Sequence, residues 1–234
     1  MITPEQLAGN LEYVRSAIAQ AAERVGRDAQ DVTLIAVSKT VPLELVRMAY
    51  NLGVTNFGEN RVQDALPKIA EFHPPDARWH MIGHLQTNKA SKVIGAFASV
   101  ESVDNLHLAQ ALERHAAKQG NELPVLLQVN VSGEASKEGM SPDEAPHMAR
   151  QIVALPHLRV EGLMTIAPIA PNPEETRPVF RQLRLLRDHL RTEIPQCDWR
   201  HLSMGMTDDY RVAIEEGATI VRIGRAIFGE RVYV

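Results

Sequence analysis

The chain has 234 residues, enough for one large α/β domain, and its 44% hydrophobic and 23% charged content is that of an ordinary globular protein. A net charge of −4 gives no bulk attraction to nucleic acid or to an anionic membrane, and no apolar run reaches the length of a bilayer span. The single cysteine, Cys197, excludes an internal disulfide and points to a reducing, cytoplasmic setting.

The N-terminus reads as a helix start rather than a signal peptide. Thr3 caps, Pro4 suits the first helical position and Gln6 completes a capping box, opening a helix over residues 4–27. Strands are predicted at 32–37, 55–57, 79–82, 98–100, 125–131, 158–164, 199–202 and 219–223. Several are short runs rich in Val, Ile and Leu, the pattern of buried parallel strands. Helices are predicted between them at 43–52, 61–72 (kinked at Pro67), 89–94, 105–119, 143–154, 173–192 and 208–216, with a last helical turn after Gly224. Eight βα units with no linker or repeat predict one domain over residues 1–234. The expected fold is a single (β/α)8 TIM barrel with an additional N-terminal helix, and a doubly wound open sheet is the alternative.

In such a barrel the loops after the strands build the active face. The first strand ends on Lys39, after the apolar run from Leu34 to Val37. Burial favours the neutral amine, the form that attacks a carbonyl to make a Schiff base, while the plainer reading is a lysine reaching solvent at a strand end. The loops after strands seven and eight are the usual phosphate site. There Ser203 supplies a hydroxyl, Gly205 and Gly224 permit close backbone approach, and a short helix offers N–H groups. A helix cap by Thr207 or Asp208 is the plainer alternative. Together with Lys39 these residues suggest a phosphorylated aldehyde. Arg222, near the end of strand eight, points toward the barrel mouth, either to an ion pair with a carboxylate such as Glu59 or to a pyridine nitrogen. A guanidinium donates only, so it would keep that nitrogen unprotonated.

The stretches AVSKT (36–40), NFGEN (56–60), WHMIGHLQTNK (79–89), QVNVSGEASKEG (128–139), GLM (162–164), LSMGMTDD (202–209) and VRIGRAIFG (221–229) span nearly the whole chain. In this order they closely resemble the pyridoxal phosphate homeostasis proteins, single-domain relatives of the alanine racemase barrel. The resemblance implies that Lys39 carries pyridoxal 5′-phosphate as a Schiff base. It implies that Ser203 and the backbone at Gly224 and Arg225 hold the phosphate, that Arg222 faces the ring nitrogen, and that Asn60 and Met206 lie near the cofactor. Arg225 is a departure, because relatives often carry threonine or serine there.

Other features are set aside. Lys89 and Lys137 lie on strand-end loops and read as solvated or structural. Lys137, beside Ser136 and close to Gly139, is also a candidate for handling cofactor during transfer. Arg177, Arg181, Arg184, Arg187 and Arg191 form a basic stripe without stacking aromatics, so a solvated outer helix is preferred to a nucleic-acid surface. His80 and His84 straddle a strand end, where four residues separate rings by roughly 13 Å, and no metal is expected. Three functions remain: a carrier of pyridoxal phosphate, an amino-acid racemase or related weak enzyme, and a Schiff-base aldolase. A racemase needs a base on each face of the carbanion, and Tyr13, Tyr50, Tyr210 and Tyr233 do not sit at strand ends. The aldolase leaves Arg222 without a partner. The favoured reading is a monomeric, non-catalytic carrier whose recipients are pyridoxal-phosphate-dependent apoenzymes.

Overall fold

A computed structural model describes residues 2–134 and 137–230. Ala135 and Ser136 of the 128–139 stretch, and Tyr233, lie outside the described residues. Eight strands run parallel: β1 (Thr33–Val37), β2 (Asn56–Glu59), β3 (Arg78–Met81), β4 (Ser99–Val103), β5 (Leu123–Gln128), β6 (Leu158–Met164), β7 (His201–Ser203) and β8 (Ile220–Ile223). Each pairs with its neighbour, and β8 returns to β1 with Thr33 opposite Ile220 and Ala36 opposite Ile223. That last pairing closes the barrel and excludes the open sheet.

Alternation along the strands sorts side chains between two environments. Ile35, Leu126, Met164 and Ile220 cluster apart from the main core and form an apolar layer in the lumen. Their neighbours Ala36, Leu127, Leu163 and Val221 join the larger core beneath the helices. The same alternation turns Arg222 inward after Ile220, and Ser203 inward after Leu202.

The helices are α1 (Pro4–Arg24), α2 (Leu43–Asn51), α3 (Val62–Glu71), α4 (Leu106–Gln119), α5 (Ala145–Val153), α6 (Arg177–Glu193), α7 (Tyr210–Glu215) and α8 (Arg225–Phe228). The predicted capping box is present: Thr3 accepts from the Gln6 N–H, and Gln6 accepts from the Thr3 N–H. α1 buries Leu7, Leu11, Val14 and Ile18 along one stripe and packs on α7 and α8. It stops short of the expected residue 27, and Gly26 turns the chain at φ +68°. The expected helix at 89–94 is instead a 3-10 turn at Thr87–Lys92. β5 ends at Gln128 rather than 131, because Val129 bridges to Met140. Pro67 lies inside α3. Among the described residues no helix is long and apolar enough to cross a membrane.

The basic stripe of α6 has a structural role. Arg177, Arg181 and Arg184 converge on Glu216, just after α7, and Arg177 also binds Glu174 and Glu215. Arg187 and Arg191 donate to the Trp199 carbonyl ahead of β7. The stripe clasps α6 to its neighbours.

His80 sits inside the barrel, its Nδ1 2.8 Å from Ser99 Oγ and its Nε2 3.0 Å from Asn56 Oδ1. Burial pushes its pKa down to about 4. The unfolded chain therefore takes up this proton near pH 6.5 and the folded one only near 4, so stability falls as pH drops through that window. The effect reaches roughly 3 kcal/mol from this group alone. His80→Gln is expected to flatten the acid limb between pH 6.5 and 4 in urea denaturation, relative to wild type. An identical slope in both proteins would contradict the assignment.

Candidate functional site

Lys39 is the second residue after β1, half-buried, in a turn closed by the Val41 N–H donating to the Ser38 carbonyl at 2.9 Å. The root of this turn is tied down. The Ser38 N–H donates to the Gly58 carbonyl, and its hydroxyl donates to Glu59 Oε1 at 2.7 Å. Lys68, from α3, donates to the Ser38 carbonyl at 2.7 Å and to Glu59 at 2.9 Å. Glu59 is fully buried and committed to this cluster, so it is not the partner of Arg222. Thr40 holds φ +64°, the one non-glycine residue with positive φ among those described. A β-branched residue there is strained, and such strain persists only where the surroundings enforce it.

The strand pairing decides what flanks Lys39. On one side β8 leads into Gly224, where a Cβ would come within 3.3 Å of the Val37 Cβ and carbonyl. On the other, β2 leads into Asn60, whose backbone packs against Gly83 so closely that a Cβ there would sit 2.5 Å from its carbonyl oxygen. Met206 follows Gly205, which takes φ +94° and has no room for a Cβ beside Ala213 and Tyr210. The Met206 N–H donates to Asp209 Oδ1 at 2.7 Å, and the Arg222 N–H donates to the Gly205 carbonyl at 3.0 Å. Lys39, Asn60, Met206 and Gly224 are each partly accessible at the same end of the strands.

Beneath them lies a buried polar network. Arg222, 4% exposed, donates from one terminal nitrogen to Ser203 Oγ at 2.6 Å and from the other to the Thr165 carbonyl at 2.8 Å. Ser203 donates its proton to Glu101 Oε2 at 2.6 Å. Burial pulls the Arg222 pKa down, and the negative charges of Glu101 and Asp209 oppose it. Burial likewise pushes the Glu101 carboxyl up, opposed by Arg222 and the Ser203 hydrogen bond. The structure thus joins Ser203 to Arg222 directly, and the Ser203 proton points at Glu101.

Arg225 begins α8, where the first N–H groups have no intrahelical acceptor. Its side chain pairs with Asp208 and reaches Glu230 at 3.5 Å, which ties down the loop after β7. Lys137 pairs with Glu134 at 3.0 Å. Lys89 lines a separate surface hollow with Asn60 and His84. His80 and His84 are not brought together: His84 lies on the rim, 3.6 Å from Asp104 and 3.8 Å from Glu138, a grouping the sequence did not suggest.

Comparison with known proteins sets this geometry in context. The model of the alanine racemase N-terminal domain matches residues 10–232. A pyridoxal phosphate homeostasis protein of Aquifex aeolicus is 46% identical over 223 residues, covering 95% of this chain and 97% of the relative. The chain belongs to the pyridoxal phosphate homeostasis protein family. Its Escherichia coli K12 member is 41% identical over 232 residues, with 97% of each chain covered. PipY of Synechococcus elongatus, solved with pyridoxal phosphate bound, is 37% identical with a TM-score of 0.84, covering 96% of this chain and 100% of that one. An alanine racemase from Clostridium difficile, at 15% identity and TM-score 0.72, shares the fold over 93% of this chain and 59% of its own.

Within this family member, sequence reasoning missed Glu101 and Lys68. The available signal for Glu101 is a carboxylate flanked by Val100 and Ser102, just beyond the strand predicted at 98–100. Lys68 gave no signal, since its partners come from β1 and β2. Thr40→Gly is expected to relieve about 1–2 kcal/mol of left-handed strain, offset by about 0.5–1 kcal/mol of glycine entropy, leaving a small net stabilisation. Urea denaturation measures it, and a clear destabilisation would show that the Thr40 side chain contributes contacts outweighing its strain.

Proposed function

We propose that the chain holds pyridoxal 5′-phosphate as a Schiff base on Lys39 and passes it to pyridoxal-phosphate-dependent apoenzymes, as a monomeric, non-catalytic carrier in the cytoplasm. The observation that carries this reading is the buried guanidinium of Arg222 beneath the Lys39 turn. The residues present fit the group. A lysine stands at the end of a strand, backbone N–H groups open α8, and an obligate donor lies below. When bound, pyridoxal phosphate supplies an aldehyde to the amine and a ring that withdraws electrons best when its nitrogen is protonated.

Each residue then has a part. Arg222 stays charged and only donates, so it binds an unprotonated ring nitrogen and does not protonate it. Gly224 and Arg225 offer backbone N–H groups to the phosphate, with the Arg225 side chain retained by Asp208. Ser203 belongs to the same end, and its hydroxyl reaches a phosphate only by releasing Glu101. Asn60 and Met206 flank the ring. This arrangement disfavours carbanion chemistry, and no tyrosine among the described residues lies at a strand end. Tyr13 is exposed on α1, Tyr50 donates to Asp76, and Tyr210 is buried at the start of α7. These placements favour the carrier over the racemase. Cys197 donates to the Val160 carbonyl and its thiol is pushed up to about 12 by burial, so it is not a competing nucleophile.

Lys39→Ala is expected to abolish the Schiff-base absorbance and the mass adduct trapped by borohydride, with unchanged circular dichroism. Wild-type protein loaded in D2O with a panel of amino acids is expected to show no α-proton exchange by NMR. An unchanged absorbance in the variant would overturn the site. Lysine-dependent exchange at useful turnover would make the protein an enzyme.

A further inference from the structure

Glu101 is a buried carboxyl group in the barrel lumen that the proposed function leaves without a part. Glu101 comes from the middle of β4 and is 1% exposed. Its Oε2 accepts the Ser203 proton at 2.6 Å, and Ser203 Oγ in turn accepts from Arg222 at 2.6 Å. Its Oε1 has no hydrogen-bond partner among the described residues. His80 Nδ1 is 3.6 Å from that oxygen and is already engaged by Ser99. Glu101 also lines a cavity of about 380 Å³ at the opposite, N-terminal mouth of the barrel, together with Arg78, His80 and Glu161.

We propose that Glu101 is a positioning residue for the cofactor end of the barrel: acting through Ser203, it fixes the orientation of the Arg222 guanidinium. The inference rests on the reading of Lys39 and Arg222 given above. Three considerations support it. First, a serine hydroxyl is a free rotor with one proton. Only an acceptor on its far side turns a lone pair toward Arg222, and Glu101 is that acceptor. Second, a guanidinium is planar, so holding both terminal nitrogens fixes the plane in which its remaining donors point. The Thr165 carbonyl holds one and the Ser203–Glu101 pair holds the other. Third, a buried carboxyl group with one unpaired oxygen is a poor stabilising device. What Glu101 supplies is direction: the three strands β4, β7 and β8 each contribute one link, and the chain of donors runs one way from Arg222 to Glu101.

The test loads four variants with pyridoxal phosphate: Glu101→Gln, Glu101→Leu, Ser203→Ala, and the Glu101→Leu/Ser203→Ala double. The readouts are the Schiff-base absorbance maximum, the dissociation constant by titration, and the urea midpoint as a folding control. Glu101→Gln retains an acceptor for Ser203 and is expected to keep the wild-type band, with affinity within about 3-fold. Glu101→Leu is expected to shift the band and weaken retention at least about 10-fold. Ser203→Ala should shift the band equally, and the double variant no further than either single change. A folded Glu101→Leu protein with the wild-type band and affinity would overturn the proposal, as would additive effects in the double variant. If Glu101→Leu does not fold, Ser203→Ala decides, and an unchanged band there overturns it. A wild-type protein without a Lys39-dependent band fails at the functional reading itself, an outcome separate from loss of Glu101 sensitivity alone.

Discussion

Taking one guanidinium out of water organises the interior of this barrel. Arg222 is buried among strands, where an unpaired charge would be prohibitive. Its donors are answered by Ser203 and the Thr165 carbonyl, and its charge by Glu101 and Asp209. These partners come from or follow three different strands, β4, β6 and β7, so they meet only when the barrel is closed. The apolar layer of Ile35, Leu126, Met164 and Ile220 occupies the same lumen. Closure and polar satisfaction are therefore one requirement.

A second constraint acts at the end of β1. The turn carrying Lys39 is held by Ser38, Glu59 and Lys68, and it accepts a left-handed threonine as a consequence. The cluster is a buried ion pair with hydrogen bonds to the backbone on both sides. It positions the main chain at Lys39. Gly224 and Asn60 then approach from the neighbouring strands because the parallel register leaves them nowhere else to go.

Much of the fold could be read in the sequence because it rests on local patterning. The capping box at Thr3 and Gln6, the β-rich apolar runs and the strict βα alternation are properties of neighbouring residues. The boundaries were less legible. The 3-10 turn at Thr87–Lys92 and the early end of β5 are set by contacts distant in sequence. The α6 arginines show the same limit from the other side: their spacing announced a stripe, but Glu216 and the Trp199 carbonyl, which give the stripe its purpose, are contributed by other parts of the chain.

The sequence by itself determined the run of eight βα units, the family and the end of the strands at which Lys39, Ser203, Arg222 and Gly224 stand, because each follows from periodicity or from residues contiguous in a motif, while closure of the sheet into a barrel rests on the pairing of β8 with β1. Only the tertiary structure decided who answers whom. Arg222 faces Ser203 and Glu101 rather than Glu59, Lys68 braces the Lys39 turn, and Arg225 holds Asp208. The physical reason is that a buried charge selects partners by distance and desolvation across the barrel, and neither is written in the spacing of residues along the chain.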